Sequence, residues 1–139
     1  MIKKSVITIC SSQSHDPEGK IEVTTVGEFI KNESGYKAVY EETEISGMEG
    51  TTTTVKINDN VVTLIREGTT STTMEFKKNS SSVVLYNTPY GMMEFKVTTK
   101  QIKIDIDENG GDIFIEYSLG IEGQEPLNTK LSLNVKVHN

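Results

Sequence analysis

The chain has 139 residues, 35% of them hydrophobic, which suits one ordinary domain around one core. Twenty acidic residues against fourteen basic ones give a formal charge of −6, and the cations stand singly or in pairs such as Lys3 and Lys4. No cationic stripe exists to follow a phosphate backbone, so nucleic acid is not an expected partner, and no apolar run approaches the roughly eighteen residues a membrane helix needs.

The first segment, MIKKSVITIC, places two lysines before an apolar stretch too short for a secretory signal, with Ile9 rather than a small residue before the cysteine. It reads as a β-strand over 4–11. The single cysteine excludes an internal disulfide and fits a reducing cytoplasm, and with no His or basic neighbour Cys10 reads as a strand residue. A polar loop carrying His15 follows. Further strands are expected at 20–31, 36–46, 51–58, 61–67, 70–78, 82–88, 91–107, 112–121 and 129–138, because apolar residues recur at period two and threonine is abundant. No segment has helical periodicity. Turn residues at hairpin spacing occupy 32–35, 47–50, 59–60, 68–69, 79–81, 89–91 and 108–111.

Short links force neighbouring strands to pair antiparallel, and closing the sheet removes exposed edges. The expected fold is all-β: a single antiparallel up-and-down β-barrel of eight to ten strands, one domain over 1–139. In the longest segment Met93, Phe95 and Val97 are odd-numbered while Ile102, Ile104 and Ile106 are even, so a β-bulge is expected between 98 and 101.

The segment 40–66 fixes candidate faces. With 47–50 as the loop, Ser46 faces Thr51, and the pairs Tyr40–Ile57, Glu42–Val55 and Glu44–Thr53 follow. With 59–60 as a two-residue turn, Asn58 faces Val61, giving Ile57–Val62, Val55–Leu64 and Thr53–Arg66. The rows then read Tyr40–Ile57–Val62, Glu42–Val55–Leu64 and Glu44–Thr53–Arg66, the last at a barrel mouth. Charges on an apolar face cost free energy unless paired or wet. Either Glu44 and Arg66 form a rim ion pair, or Tyr40, Glu42, Glu44, Leu64, Arg66, Met74 and Phe76 form a ligand-binding site. In the second case Arg66 meets an anionic or polar end, Glu42 or Glu44 orients Arg66, and Leu64, Met74 and Phe76 line the body.

Other motifs carry less. The segment from Asp105 to Glu116 fits the calcium-loop pattern D-x-[DN]-x-[DN]-G-x5-E, but its flanks alternate at period two, so it reads as a hairpin with Asn109 and Gly110 supplying positive φ. His15 and His138 have no ligand partner at metal spacing, and neither a metal nor a cofactor is expected. No nucleophile–base–orienter set is visible and no catalytic residue is assigned. Tyr86 and Tyr90 flank the tight turn around Pro89 and read as structural anchors of it.

The ordered set Y-E-E-T (40–43), G-M-E-G-T-T-T (47–53), L-I-R-E-G (64–68), Y-N-T-P-Y-G (86–91), N-G-G (109–111), I-E-Y-S-L (115–119) and N-x-x-L-x-L (128–133) resembles the YwiB-like family. These are small bacterial proteins with a calycin-like β-barrel, classed as a domain of unknown function. The resemblance implies a lipocalin-like barrel in a bacterial cytoplasm, and calycins generally bind small, often hydrophobic molecules inside the barrel. Three functional expectations follow: a barrel binding a small amphipathic or hydrophobic ligand, an interaction or homodimerisation module with a filled barrel, and a hydrolase or isomerase using Glu42 or Glu44. For the second, the threonine runs 51–54 and 69–73 would offer a polar surface to an added strand.

Overall fold

A computed structural model describes residues 2–13, 16–46, 48–121 and 125–138; His15 and Gly47 lie outside them. Ten antiparallel strands form one sheet: β1 (Ile2–Gln13), β2 (Asp16–Asn32), β3 (Gly35–Glu41), β4 (Thr51–Asn58), β5 (Val61–Gly68), β6 (Thr72–Lys77), β7 (Ser81–Thr88), β8 (Gly91–Asp107), β9 (Gly110–Gly120) and β10 (Leu127–Val137). The sheet order is β6-β5-β4-β3-β2-β1-β10-β9-β8-β7, so the first and last strands pair along their length, from Ser5–Val137 to Gln13–Thr129. The barrel is nearly closed. No helix among the described residues is long and apolar enough to cross a membrane.

Closure is weakest between β6 and β7, neighbours in the chain. They share one bridge, in which Ser71 and Asn87 exchange both backbone hydrogen bonds at 2.9 Å, supplemented by the Thr72 hydroxyl on the Leu85 carbonyl at 3.3 Å. The hairpin ladder expected there is absent because the connecting turn pairs elsewhere. Asn79 takes a left-handed φ of 62°, its N–H donates to the Thr99 carbonyl, and the Thr99 N–H donates to the Ser80 carbonyl. The turn thereby docks on β8 and carries β7 away from β6. On β8 the register shifts between Thr99 and Gln101, where the change of parity requires a bulge.

The β4–β5 register matches expectation, with Ile57–Val62, Val55–Leu64 and Thr53–Arg66 opposed. The β3–β4 register does not. Tyr40 faces Thr53, Ala38 faces Val55 and Tyr36 faces Ile57. Strand pairing stops at Glu41, one backbone bond from the Glu42 N–H to the Thr51 carbonyl follows, and Glu44–Ser46 forms a 3-10 turn. The connection is therefore longer than the glycine-flanked loop the sequence suggests, and the polar row is Tyr40–Thr53–Arg66–Thr72 rather than Glu44–Thr53–Arg66. The threonine runs alternate: Thr51, Thr53, Thr70 and Thr72 are buried, while Thr52 and Thr54 are half-buried and Thr69 and Thr73 exposed. The acidic segment is the β8–β9 hairpin, with Asp105 opposite Asp112, and its positive φ angles fall on Gly110 and Gly111 instead of Asn109 and Gly110.

Inward residues fill the barrel's middle. Ile7, Val62, Phe76, Val97, Ile115 and Val135 are all at or below 2% exposure. Among Ile9, Val62, Phe76 and Ile113 lies a cavity of about 30 Å³, room for roughly one water. Phe76 spans the interior to Tyr117, ring centroids 4.9 Å apart. Phe76→Ala should therefore cost about 3–5 kcal/mol of unfolding free energy, measured by urea denaturation, because surrounding strands tied into a ladder cannot collapse on the void.

Candidate functional site

At one end of the filled core a cavity of about 140 Å³ opens, lined by Ile9, Val23, Leu64 and Leu131 on its apolar side and by Tyr40, Glu42, Arg66 and Tyr117 on its polar side. Each polar group is placed by register. Pairing of Gly27, Tyr40, Thr53 and Arg66 on successive strands puts their inward positions in one row. Gly27 is required there: a Cβ would meet Ile7 Cδ1 and the Val39 carbonyl at 2.5 Å. Glu42 shares Tyr40's parity and, one residue past β3, turns its carboxylate inward.

The Glu42 side chain is 5% exposed and that of Arg66 16%. The Thr53 hydroxyl donates to Glu42 Oε2, while Arg66 Nε lies 3.9 Å from the same oxygen, an ion pair without a hydrogen bond. Arg66 Nε is buried and has no hydrogen-bond partner among the described residues. A guanidinium carries five N–H donors; here Nε is enclosed and unpaired, and the side chain is held by its stem and by Coulomb attraction to Glu42.

Burial pushes the Tyr40 hydroxyl well above the ordinary tyrosine range, Glu42's charge adds to the rise, and Arg66 opposes it. Burial also raises Tyr117, again against Arg66. Both are neutral donors near pH 7. The Tyr86 hydroxyl reaches over the mouth to Met48 Sδ at 3.7 Å and its ring packs edge-on against Phe95, so it anchors the β3–β4 connection rather than its own turn. Tyr90, in that turn, is 99% exposed.

Of the residues expected from sequence, Tyr40, Glu42, Leu64 and Arg66 meet at this cavity. Phe76 lines the smaller void beneath it, and Met74 is buried opposite Leu64. Glu44 is exposed on the 3-10 turn, away from the lining. Sequence reasoning missed Ile9, Val23, Met48 and Tyr117. The alternation of β1, β2 and β9 gives their faces, but only the β1–β10 pairing brings those faces to this mouth.

Linkage gives the mouth an alkaline signature. A raised folded pKa leaves the unfolded state to ionise first, so stability is intact below about pH 10 and falls as pH rises above it. In a phenolate-absorbance titration Tyr40 and Tyr117 should ionise after the exposed tyrosines and together with unfolding, and Tyr40→Phe should flatten the alkaline loss of stability.

Comparison with known proteins adds a family. Residues 7–133 match the model of DUF1934, a domain of unknown function. The chain is 27% identical to the uncharacterized beta-barrel protein YwiB of Bacillus subtilis (strain 168) over 129 residues, 90% of this chain and 89% of that one. The crystal structure of the B. subtilis ywiB protein superposes with a TM-score of 0.87 at 22% identity, covering 99% of this chain and 94% of that chain.

Proposed function

Because the chain belongs to the DUF1934 family, whose Bacillus relative is itself uncharacterised, we propose from the chemistry of the mouth that the protein binds a small amphipathic molecule there. Arg66 is the anchor for its anionic end. One observation supports the reading: a largely buried arginine lines the cavity, and its ion-pair partner Glu42 stands 3.9 Å away without a hydrogen bond. The apolar body sits against Ile9, Leu64 and Leu131. This is a calycin-like use of the barrel at reduced scale, since drug-sized ligands occupy about 300–1,000 Å³ and this cavity holds about 140 Å³. A lipid-sized ligand does not fit; a body of about benzene's size does. The bacterial relative and the single cysteine support a cytoplasmic setting.

Native mass spectrometry of protein purified from bacterial cells should show a bound small mass that is lost on denaturation. Arg66→Met keeps the stem's packing and removes the charge. It should weaken binding about ten- to a hundredfold, the worth of a charge-assisted hydrogen bond. Undiminished binding by that variant would sink the assignment of Arg66.

A second reading, homodimerisation, is favoured by β7. This strand has no charged residue, its edge holds the Ser71 bridge and the Thr72 hydroxyl in place of a ladder, and Val83, Leu85 and Met92 stand exposed on the outer face of the β7–β8 hairpin. Uncharged edges invite pairing with a second copy. Light scattering should then give twice the chain mass, returning to one chain mass in Leu85→Lys; a wild-type monomer removes this reading.

A further inference from the structure

We infer that the molecule held at the mouth is a zwitterion, with its carboxylate on Arg66 and its ammonium on Glu42. Its closest chemical class is an α-amino acid with a short aliphatic side chain. The inference rests on the mouth being a binding site, as proposed above, and goes further by assigning Glu42 a recognition role.

Charge balance is the first argument. Arg66 and Glu42 line the same cavity and both are largely removed from water, so the two charges of the mouth sum to zero. An anion alone would bring three buried charges to a net −1, which an apolar surround penalises. An ammonium on the same molecule restores neutrality. Tyr40 and Tyr117 stay protonated and add no charge of their own.

Geometry is the second. Arg66 and Glu42 do not satisfy each other, because the Nε–Oε2 separation of 3.9 Å leaves Nε without a hydrogen bond. A bidentate arginine–carboxylate pair, the tight arrangement, is not formed. Both residues line the cavity without closing a bidentate pair on each other, so a ligand there meets both charges. The carboxylate and ammonium of an α-amino acid are carried by a single carbon, which matches two protein charges held within ion-pair distance.

Size is the third. Beyond the charged pair the walls are Ile9, Val23, Leu64 and Leu131, and the space is about 140 Å³. A cavity of about that volume holds the six carbons of benzene, so a branched four-carbon side chain fits. Thr53 fixes the Glu42 carboxylate from behind with its hydroxyl, orienting it without adding charge.

Isothermal titration with leucine, with isocaproate (leucine without its ammonium) and with isoamylamine (leucine without its carboxylate) tests the assignment on the unaltered chain. Leucine should bind, and each analogue should bind about tenfold or more weakly. Glu42→Gln, checked by thermal melting, should bring leucine down to the level of isocaproate while leaving isocaproate undiminished. Isocaproate binding as tightly as leucine would overturn the zwitterion and leave the anion site of the proposed function standing. Failure of all three to bind would overturn both.

Discussion

A meander joined by short links can bury its apolar residues only by curling until its inward face meets itself. Here that contact is made by Phe76 on β6 and Tyr117 on β9, which approach across the interior from strands seven positions apart in the sheet. The row Val55–Leu64–Met74 packs solidly between the row of Phe76 and the mouth. Above that row the inward positions are Tyr40, Thr53, Arg66 and Thr72 on one wall and Tyr117, Thr99 and Thr129 on the other. The mouth is polar because the inward rows end there in tyrosine, threonine and arginine.

That arrangement explains how a cation comes to sit inside a β-barrel at all. Arg66 belongs to a strand whose other inward residues, Val62 and Leu64, are fully buried, so alternation leaves it no outward option. Its stem continues the apolar surface and its head emerges just above it, as long cationic side chains do at boundaries. Glu42 and Thr53 then supply charge compensation and orientation from the neighbouring strands. The weak link is hydrogen bonding, since the pair stands at ion-pair distance only.

Legibility in the sequence followed the turns. The two-residue turn at Asp59 and Asn60 pins β4 against β5, so Thr53–Arg66 could be read from residues alone, and Asp59 takes the positive φ such a turn requires. The β3–β4 link could not be read, because Gly50 marks the end of the connection while nothing in E-E-T-E-I-S marks its start. Period-two alternation would carry the strand on to Ser46, whereas pairing ends at Glu41 and a 3-10 turn intervenes. The resulting error moved Tyr40's partner by four residues, from Ile57 to Thr53. Because four is even, every side chain kept its face and only the rows changed. This is why Tyr40, Glu42 and Arg66 still met while Glu44 dropped out. The opposite wall was hidden for a different reason: Ile9, Leu131 and Tyr117 are distant in the chain, and only closure brings them to Arg66.

The position of the gap between β6 and β7 also bears on how the chain assembles. From β1 to β6 and from β7 to β10 every pairing joins consecutive strands, so each half is a run of local hairpins that can form without the other. The halves are then married by a single full ladder, β1 against β10, between segments at opposite ends of the described chain, with Ser71–Asn87 as the clasp on the far side. Loop-closure entropy falls almost wholly on that one ladder, which makes it the natural late step of folding. It also makes the barrel two complementary fragments held in one chain, divisible at the turn around Asn79, where the least ladder would be lost.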